Sequence, residues 1–192
     1  MLLQAISGIP DPLHVQEQES VILTVSLVLG SFSSLAVICS AVFAYLQWKK
    51  TKYENKVHLV ELIREKLYDD KDVRHIIYLI DYGIHWYDAA FHNSEEPQGS
   101  VDKTLSIIEY ACYMCNQGIL GPKEFELIKY DIDRITQNRD VQEYLWNLFH
   151  WCNKIKSRCS FLNVINYALE NGLWGEDFKD CKCQGFKKYL NF

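Results

Sequence analysis

The sequence has no charged residue between Val21 and Leu46, a run of 26 residues. At about 1.5 Å per residue, a helix of that length is roughly 39 Å long, which exceeds the ~30 Å hydrocarbon core of a bilayer. The run also lacks the polar stripe that a core helix of a small soluble protein presents to water. Both absences argue against a buried helix and predict a transmembrane helix over residues 21–48.

Lysine and arginine are also missing from residues 1–20, whose only charges are three carboxylates. A secretory signal peptide begins with positive charge and has an apolar run of only about 7–15 residues, so a cleaved signal is the less favoured alternative. Lys49, Lys50 and Lys52 follow the run directly. Because positive residues stay on the cytoplasmic side, we expect a single-pass protein of the cell inner membrane, with residues 1–20 outside and residues 49–192 in the cytoplasm.

Familiar catalytic and nucleotide-binding motifs are absent, since the chain has no Walker loop, dinucleotide fingerprint, HExxH or GxSxG. No segment alternates polar and apolar residues with the period of two that a half-buried strand needs. The chain has a net charge of −5; residues 1–20 carry −3 and the three lysines +3, which leaves −5 on residues 53–192. An acidic domain lacks the basic field that non-specific nucleic-acid binding requires. We therefore expect an all-α protein that is not an enzyme and binds no DNA or long RNA.

The seven cysteines are odd in number, and six of them lie in the predicted cytoplasmic part, where disulfides are rare. Cys112 and Cys115 form a CxxC, while Cys181 and Cys183 form a CxC, and together they could give four thiolates to zinc. The favoured interpretation is that the CxxC thiols are core residues on an apolar helix face. We therefore expect no metal and no cofactor.

Helical periodicity organises the rest of the chain. Residues 49–68 continue the span as a juxtamembrane stalk, with apolar residues at 57, 60, 63 and 67. Residues 69–172 form a cytoplasmic domain of about five helices, and residues 173–192 form a basic C-terminal tail.

Turn-forming residues mark the expected helix boundaries. Asp69, Asp70 or Asp72 is the expected N-cap of the second helix. HWYDAAF, from His85 to Phe91, looks helical, and HNSEEPQGS, residues 92–100, is predicted to be a loop. The third helix is predicted over Asp102–Gln117 and ends at Gly118, and the fourth begins at Pro122 and includes the segment PKEFELIKYDIDRI. The fifth helix is predicted over Val141–Lys156. The sixth is predicted over Ser160–Glu170 and is closed by Asn171 and Gly172.

Small residues recur at spacings of three and four along one face of the predicted span. Such residues let helices approach closely in lipid, where packing and interhelical hydrogen bonds drive association. Their abundance in spans generally is the alternative explanation. We predict self-association into a homo-oligomer, for example a tetramer, through the face made by Ser26, Gly30, Ser33, Val37, Ser40 and Ala44.

Five tryptophans and twelve tyrosines exceed the needs of one small core. Some of these rings are available to stack on nucleobases, although core and subunit packing is the simpler explanation. Beside Trp151, the segment NKIKSRCS holds Lys154, Lys156 and Arg158 next to the start of the last helix. Cations beside helix-start amide groups suit a phosphate, whereas a solvated connector is the plain alternative. These four residues are the predicted ligand-binding site.

The layout of one N-terminal span and a small cytosolic helical domain, with the turn NQGILGPKEF, resembles a broad group of bacterial membrane-anchored proteins. More narrowly, it is similar to small membrane-anchored accessory effectors of type III CRISPR systems. The resemblance implies a cytosolic domain that binds cyclic oligoadenylate and membrane helices that then disturb membrane integrity. It also implies a sensor fold different from the usual Rossmann-like one.

Two functions follow from these expectations. The leading one is a membrane-anchored oligomeric effector of antiviral defence, in which several basic–aromatic patches converge on a cyclic oligonucleotide. The alternative is a membrane-tethered scaffold or adaptor that binds a protein partner through its aromatic helical surface. The predicted partners are thus the lipid bilayer, further copies of the chain and the cyclic nucleotide.

Overall fold

The computed structural model describes residues 12–93 and 95–192. In that part of the chain all regular structure is helical, which confirms the predicted all-α class with five helices after the long N-terminal one. The chain divides after Tyr53 into two units, and each is described by itself. The helices are α1 (Pro12–Tyr68), α2 (Lys71–Asp81), α3 (Glu95–Asn116), α4 (Pro122–Gln137), α5 (Arg139–Lys154) and α6 (Leu162–Glu170), with 3₁₀ turns at Phe91–Asn93 and Glu176–Lys179.

The first unit consists of helix α1 up to Tyr53, while residues 1–11 of the predicted extracytoplasmic segment lie outside the described residues. Among the described helices, α1 is long and apolar enough to cross a membrane. The Ser26 hydroxyl donates to the Leu23 carbonyl and that of Ser40 to Ala36, each at 2.8 Å. These bonds satisfy the hydroxyls inside an apolar helix.

Helix α3 is the centre of the second unit, residues 54–192, where it packs against α2, α4 and α6. Residues of α1 after Tyr53 contribute Val60, Ile63 and Leu67 to the same core. These three residues are among the four apolar positions that helical spacing predicts for this segment. Each fully buried aliphatic side chain contributes about 1.5–3 kcal/mol relative to an exposed one.

Several predicted helix ends are confirmed. Asp70 is the N-cap of α2, because its carboxylate accepts from the backbone N–H groups of Asp72 (3.0 Å) and Val73 (3.4 Å). Gly118 and Gly172 follow α3 and α6 with φ of +66°, a conformation in which a side chain is strained. Pro122 is the first residue of α4, where its missing N–H is not needed.

The predicted loop over residues 92–100 is wrong, because α3 begins at Glu95 instead of Asp102. Pro97 and Gly99 are turn formers, but both lie near the start of the helix, where a missing N–H leaves no broken hydrogen bond. Val101 and Leu105, one turn apart, are buried against the core. Tertiary packing therefore outweighs local propensity in this segment.

The helix predicted for HWYDAAF is also wrong, since residues 82–90 form an irregular segment. Gly83, with φ of +61°, follows the end of α2. The buried carboxylate of Asp140 on α5 then accepts from the backbone N–H groups of Trp86 (2.6 Å) and Tyr87 (3.3 Å). A carboxylate 54 residues away thus binds main-chain groups that a helix would have used internally.

Residues 173–192 lie against the helical bundle. Trp174 and Phe178 are buried and stack on each other with ring centroids 4.6 Å apart. The Trp174 indole donates to the carbonyl of Thr136 at 2.8 Å. The first third of the segment predicted as a basic tail is therefore part of the domain core.

Candidate functional site

The predicted ligand-binding residues all lie on one segment, residues 151–161, which joins α5 to α6 and is here called the connector. Trp151 is in the last turn of α5, and its side chain is 37% exposed. The Trp151 ring is therefore at the surface and is not part of the core. Lys154, Lys156 and Arg158 are all exposed along the same short segment.

Two buried thiols fix the ends of the connector. Cys152 and Cys159 are hydrogen-bonded to each other, and both are almost fully buried. Burial raises the pKa of the Cys159 thiol to about 11 and also raises that of Cys152. Both side chains are protonated at neutral pH, so they act as small apolar anchors and not as nucleophiles.

Lys156 has an unusual backbone conformation. Its φ of +56° is the one positive value among the described residues other than glycine. At the ends of α2, α3 and α6 the corresponding left-handed position is held by Gly83, Gly118 and Gly172. A left-handed residue with a Cβ costs about 1–2 kcal/mol more than glycine. The end of α5 therefore keeps a lysine where glycine would be more stable.

The three cations differ in their surroundings. The Lys154 ammonium donates to the carbonyl of Asn191 at 2.8 Å, so the C-terminal segment already occupies one of its donors. Lys156 and Arg158 extend from the irregular part of the connector into solvent. The connector thus presents two solvated cations and one that is partly engaged, beside a half-exposed indole ring.

The helix-start amide groups assigned to a phosphate are not available, which corrects one part of the sequence argument. The carboxylate of Glu109, on α3, accepts from the backbone N–H groups of Asn163 (3.1 Å) and Val164 (2.9 Å). It also accepts from the Asn163 side-chain amide at 2.6 Å. Since a negative charge already lies at the start of α6, an anion on the connector depends on the cations and Trp151 alone.

A second surface feature is a set of exposed tyrosines on α2 and α4. Tyr78 and Tyr82 are in contact with ring centroids 4.4 Å apart and ring planes tilted by 36°, and Tyr82 is 69% exposed. On α4, Tyr130 is 71% exposed, and the Arg134 guanidinium lies 5.4 Å from its ring centroid. Arg134 in turn pairs with Asp81 at 3.3 Å, which joins the two helices. We call Tyr78, Tyr82 and Tyr130 the tyrosine surface.

Other aromatic residues that the sequence singles out lie inside the domain. Tyr87 and Tyr144 are fully buried, with their rings in edge-to-face contact at 5.4 Å. The Tyr144 hydroxyl donates to Asp102, while the Tyr87 hydroxyl and the His92 imidazole are 2.9 Å apart. Burial raises the pKa of both phenols and of the Asp102 carboxyl, and lowers that of His92. This network joins α5 to the start of α3.

The cysteines of the zinc alternative are placed in different surroundings. Cys112 is buried in α3 and burial strongly raises the pKa of its thiol, whereas Cys181 is exposed in the C-terminal segment. Among the described residues, no three His, Cys, Asp or Glu side chains are grouped so that they could hold a metal ion.

The predicted association face lies on the described part of α1. Gly30 is open, because a Cβ built there would meet no atom within 4 Å outside the helix's own backbone. The side chains of Ser26, Ser33, Val37, Ser40 and Ala44 are exposed in the single chain. They remain a predicted surface for a second helix.

Comparison with protein-family models, with curated proteins and with solved structures gave no match. The resemblance to the CRISPR accessory effectors therefore remains a prediction. Sequence reasoning missed two residues that shape the site, Glu109 at the start of α6 and Asn191 beside Lys154. Both contact the connector or its neighbours across 37 to 55 residues of sequence, so no local pattern indicates them.

Proposed function

We propose that the chain is a membrane-anchored, oligomeric effector whose connector binds an anionic nucleotide, with cyclic oligonucleotides as the ligand class. Three cations and one surface indole provide charge-assisted hydrogen bonds to phosphate and a stacking surface for a base. In this proposal α1 crosses the inner membrane, with residues 49–192 in the cytoplasm, and ligand binding leads to membrane disturbance in antiviral defence.

The main support for the proposal is the left-handed backbone conformation of Lys156. Strain at a single position persists only where the surroundings impose it, and it concentrates at functional sites. Glycine would relieve the strain at Lys156, as it does at the ends of three other helices. A lysine retained there supports a role for its charge.

The acidity of the domain constrains how such a ligand could be held. Residues 53–192 carry −5, so one connector with three cations binds a polyanion weakly. A ring of identical copies, such as a tetramer, would place several connectors around one cyclic ligand. The proposal therefore includes self-association, for which the small-residue face of α1 is the predicted contact.

Replacement of Lys156 by glycine tests the proposal with a variant that relieves strain. We expect full-length Lys156→Gly protein to melt at or above the parent temperature, since about 1–2 kcal/mol of strain is removed. Its affinity for cyclic oligoadenylate, measured by calorimetry in detergent, should fall at least tenfold because a charge-assisted hydrogen bond of about 1.5–3 kcal/mol is lost. The exposed Lys123 on α4 is the control, and Lys123→Gly should leave the affinity unchanged. A parent protein that binds no cyclic nucleotide would contradict the proposal.

Reporter fusions test the anchor and its orientation. Alkaline phosphatase fused after residue 192 should be inactive in cells, and green fluorescent protein at the same position should fluoresce. The opposite result would place the domain outside the cytoplasm. Mass spectrometry of the purified protein should find residues 1–20 uncleaved.

The tyrosine surface favours a second candidate function, a membrane-tethered adaptor that binds a protein partner. Tyrosine is enriched in protein interfaces, where its ring gives contact area at low entropic cost. Tyr82 and Tyr130 are more than two-thirds exposed, although the domain already buries many other rings. A photo-crosslinking residue at Tyr82 should then capture one specific protein in cells. The same residue at Tyr113, a half-exposed tyrosine on α3, is the matched control; equal capture at both positions would reject the adaptor.

A further inference from the structure

Residues 180–192 lie along one face of α5 without regular secondary structure, and we call them the strap. Four α5 side chains bind its main-chain carbonyl groups. The Arg139 guanidinium donates to Gly185, the Trp146 indole to Asp180 (3.3 Å), the Asn147 amide to Lys187 (2.8 Å) and the Lys154 ammonium to Asn191 (2.8 Å). These contacts hold the backbone and not particular side chains of the strap.

Asn147 is the centre of this face. Its side chain is 0% exposed, and besides donating to the Lys187 carbonyl it accepts from the backbone N–H groups of Tyr189 (2.7 Å) and Leu190 (3.1 Å). One side-chain amide therefore pairs with one acceptor and two donors of the strap's main chain. Hydrogen bonds to the main chain give affinity for a peptide segment without depending on its side chains.

Aromatic side chains of the strap fit rings of the domain. Phe186 stacks on Trp146 with centroids 5.3 Å apart, and Phe192 makes an edge contact with the same indole at 5.1 Å. The Tyr189 ring contacts the buried Tyr87 edge-on at 5.0 Å. The three rings of the strap, at intervals of three residues, thus pack on Trp146 of α5 and on Tyr87 of the irregular segment, in addition to the main-chain contacts with α5.

The strap itself is poorly buried. No residue from Lys179 to Phe192 is classed as buried, whereas Trp146, Asn147 and His150 beneath the strap are almost completely covered. Segments with few buried apolar groups open with the smallest free energy. Opening of the strap would uncover Trp146 and leave the Asn147 side chain with the Glu143 carbonyl, at 2.9 Å, as its remaining partner, so the opened face favours any strap that can cover it again.

We propose that this face of α5 is a peptide-binding groove and that the strap of a second copy of the chain can occupy it in place of the chain's own strap. The strap sequence, which every copy carries, fits this face in the structure. Exchange replaces each contact by an identical one, so its equilibrium is set by copy density and by the segment before the strap. At ~3.3 Å per residue, thirteen fully extended residues reach at most about 43 Å. This inference does not depend on the nucleotide proposal.

Photo-crosslinking in the full-length protein tests the exchange directly. A benzophenone amino acid replaces Tyr189, and equal amounts of ¹⁵N-labelled and unlabelled protein are reconstituted together in lipid vesicles. Mass spectrometry of the crosslinked peptides then distinguishes pairs within one chain from pairs between two chains. We expect crosslinks from the strap of one chain to Tyr87 or to α5 of another, between labelled and unlabelled chains, with a fraction that rises with protein density.

A matched position and a variant make the result decisive. The same probe at Tyr110, which lies on α3 outside the groove, should give no crosslinks to α5 of another chain. Asn147→Ala removes the same main-chain hydrogen bonds from a chain's own strap and from an exchanged one, so it should lower strap crosslinks of both kinds about tenfold and leave their ratio unchanged. Strap crosslinks confined to single chains at all densities would overturn the exchange.

A synthetic peptide tests whether the α5 face binds a peptide, independently of whether straps exchange between chains. A fluorescein-labelled peptide of residues 180–192 is titrated against a full-length variant whose own strap is weakened by Phe186→Ala and Phe192→Ala. We expect saturable binding, at least tenfold tighter than for a peptide of scrambled sequence. Failure to bind to this folded variant, as judged by circular dichroism, would show that the face is not a peptide groove.

Discussion

The carboxylate of Glu109, on α3, accepts a hydrogen bond of 2.9 Å from the backbone N–H of Val164 in the first turn of α6. Helix α6 has nine residues, and its N-cap Phe161 offers no side-chain acceptor. A residue 55 positions away therefore performs the capping that a local serine or aspartate performs in other helices. The same contact places a negative charge beside the connector.

Removal of this cap should destabilise the domain. We expect Glu109→Ala to lower the free energy of unfolding by about 1–3 kcal/mol, because the amide groups of Asn163 and Val164 lose their acceptor. Glu109→Gln, which retains one acceptor oxygen, should lose less. Denaturant unfolding followed by circular dichroism gives both values, and an Ala variant as stable as the parent would show that water replaces the carboxylate.

Trp146 and Trp151 form a matched pair on α5. Trp146 is 1% exposed and packs against the strap, so Trp146→Ala should cost about 3–5 kcal/mol of stability. Trp151 is at the surface, so Trp151→Ala should cost about 1 kcal/mol or less. If the connector binds a base, the second variant should also lose about 1–3 kcal/mol of binding energy. Thermal melts and ligand titrations of both variants measure these quantities, and equal destabilisation would contradict the assignment of Trp151 to the surface.

The sequence predicts the helices better than it predicts the surroundings of the connector. Apolar spacing indicates α2, α4 and α5 because each buries one face, and Gly118 and Gly172 mark two helix ends because their conformation suits glycine. Helix α3 starts seven residues earlier than expected, since packing of its first turns outweighs Pro97 and Gly99. The local pattern places Trp151, Lys154, Lys156 and Arg158 on one segment. Glu109 and the strap reach that region across dozens of residues, so they follow only from the fold.

Acidification should weaken the domain through His150. This imidazole donates to the Phe178 carbonyl at 3.0 Å, and burial lowers its pKa, with the Phe178 carbonyl and Asp180 acting to raise it and Lys188 to lower it further. The unfolded chain takes up the proton near pH 6.5, before the folded one does. Stability should therefore be constant above that pH and fall as the pH drops below it towards the lowered value.

The contribution of His150 can be separated from that of other groups by substitution. Burial also lowers the pKa of His92, which adds to the loss in the same direction. His150→Gln keeps an N–H donor but cannot titrate, so the fall in melting temperature between pH 7 and pH 5 should become smaller. Substitution of the exposed His58 by Gln is the matched control. An unaltered slope in His150→Gln would assign the acid sensitivity to other groups.

The small-residue face of α1 makes a prediction in the membrane. A Cβ at Gly30 meets no atom within 4 Å outside the helix's own backbone, so Gly30→Leu should leave the monomer intact while it forces neighbouring helices apart. Chemical crosslinking of the full-length protein in vesicles should then give less oligomer. Phe32→Leu, on a different side of the helix, is the control. Unchanged crosslinking in both Gly30→Leu and Ser33→Leu would place the contact elsewhere.

Asn147 also bears on how this chain can vary over its natural history. It binds the main chain of residues 187, 189 and 190, so the side chains of Lys187 and Lys188 are not what it recognises. In lineages that share the fold, we expect the lysines to drift freely while the buried asparagine stays fixed. Selection on this contact would therefore be visible at Asn147 on α5 and not at the two lysine positions opposite it.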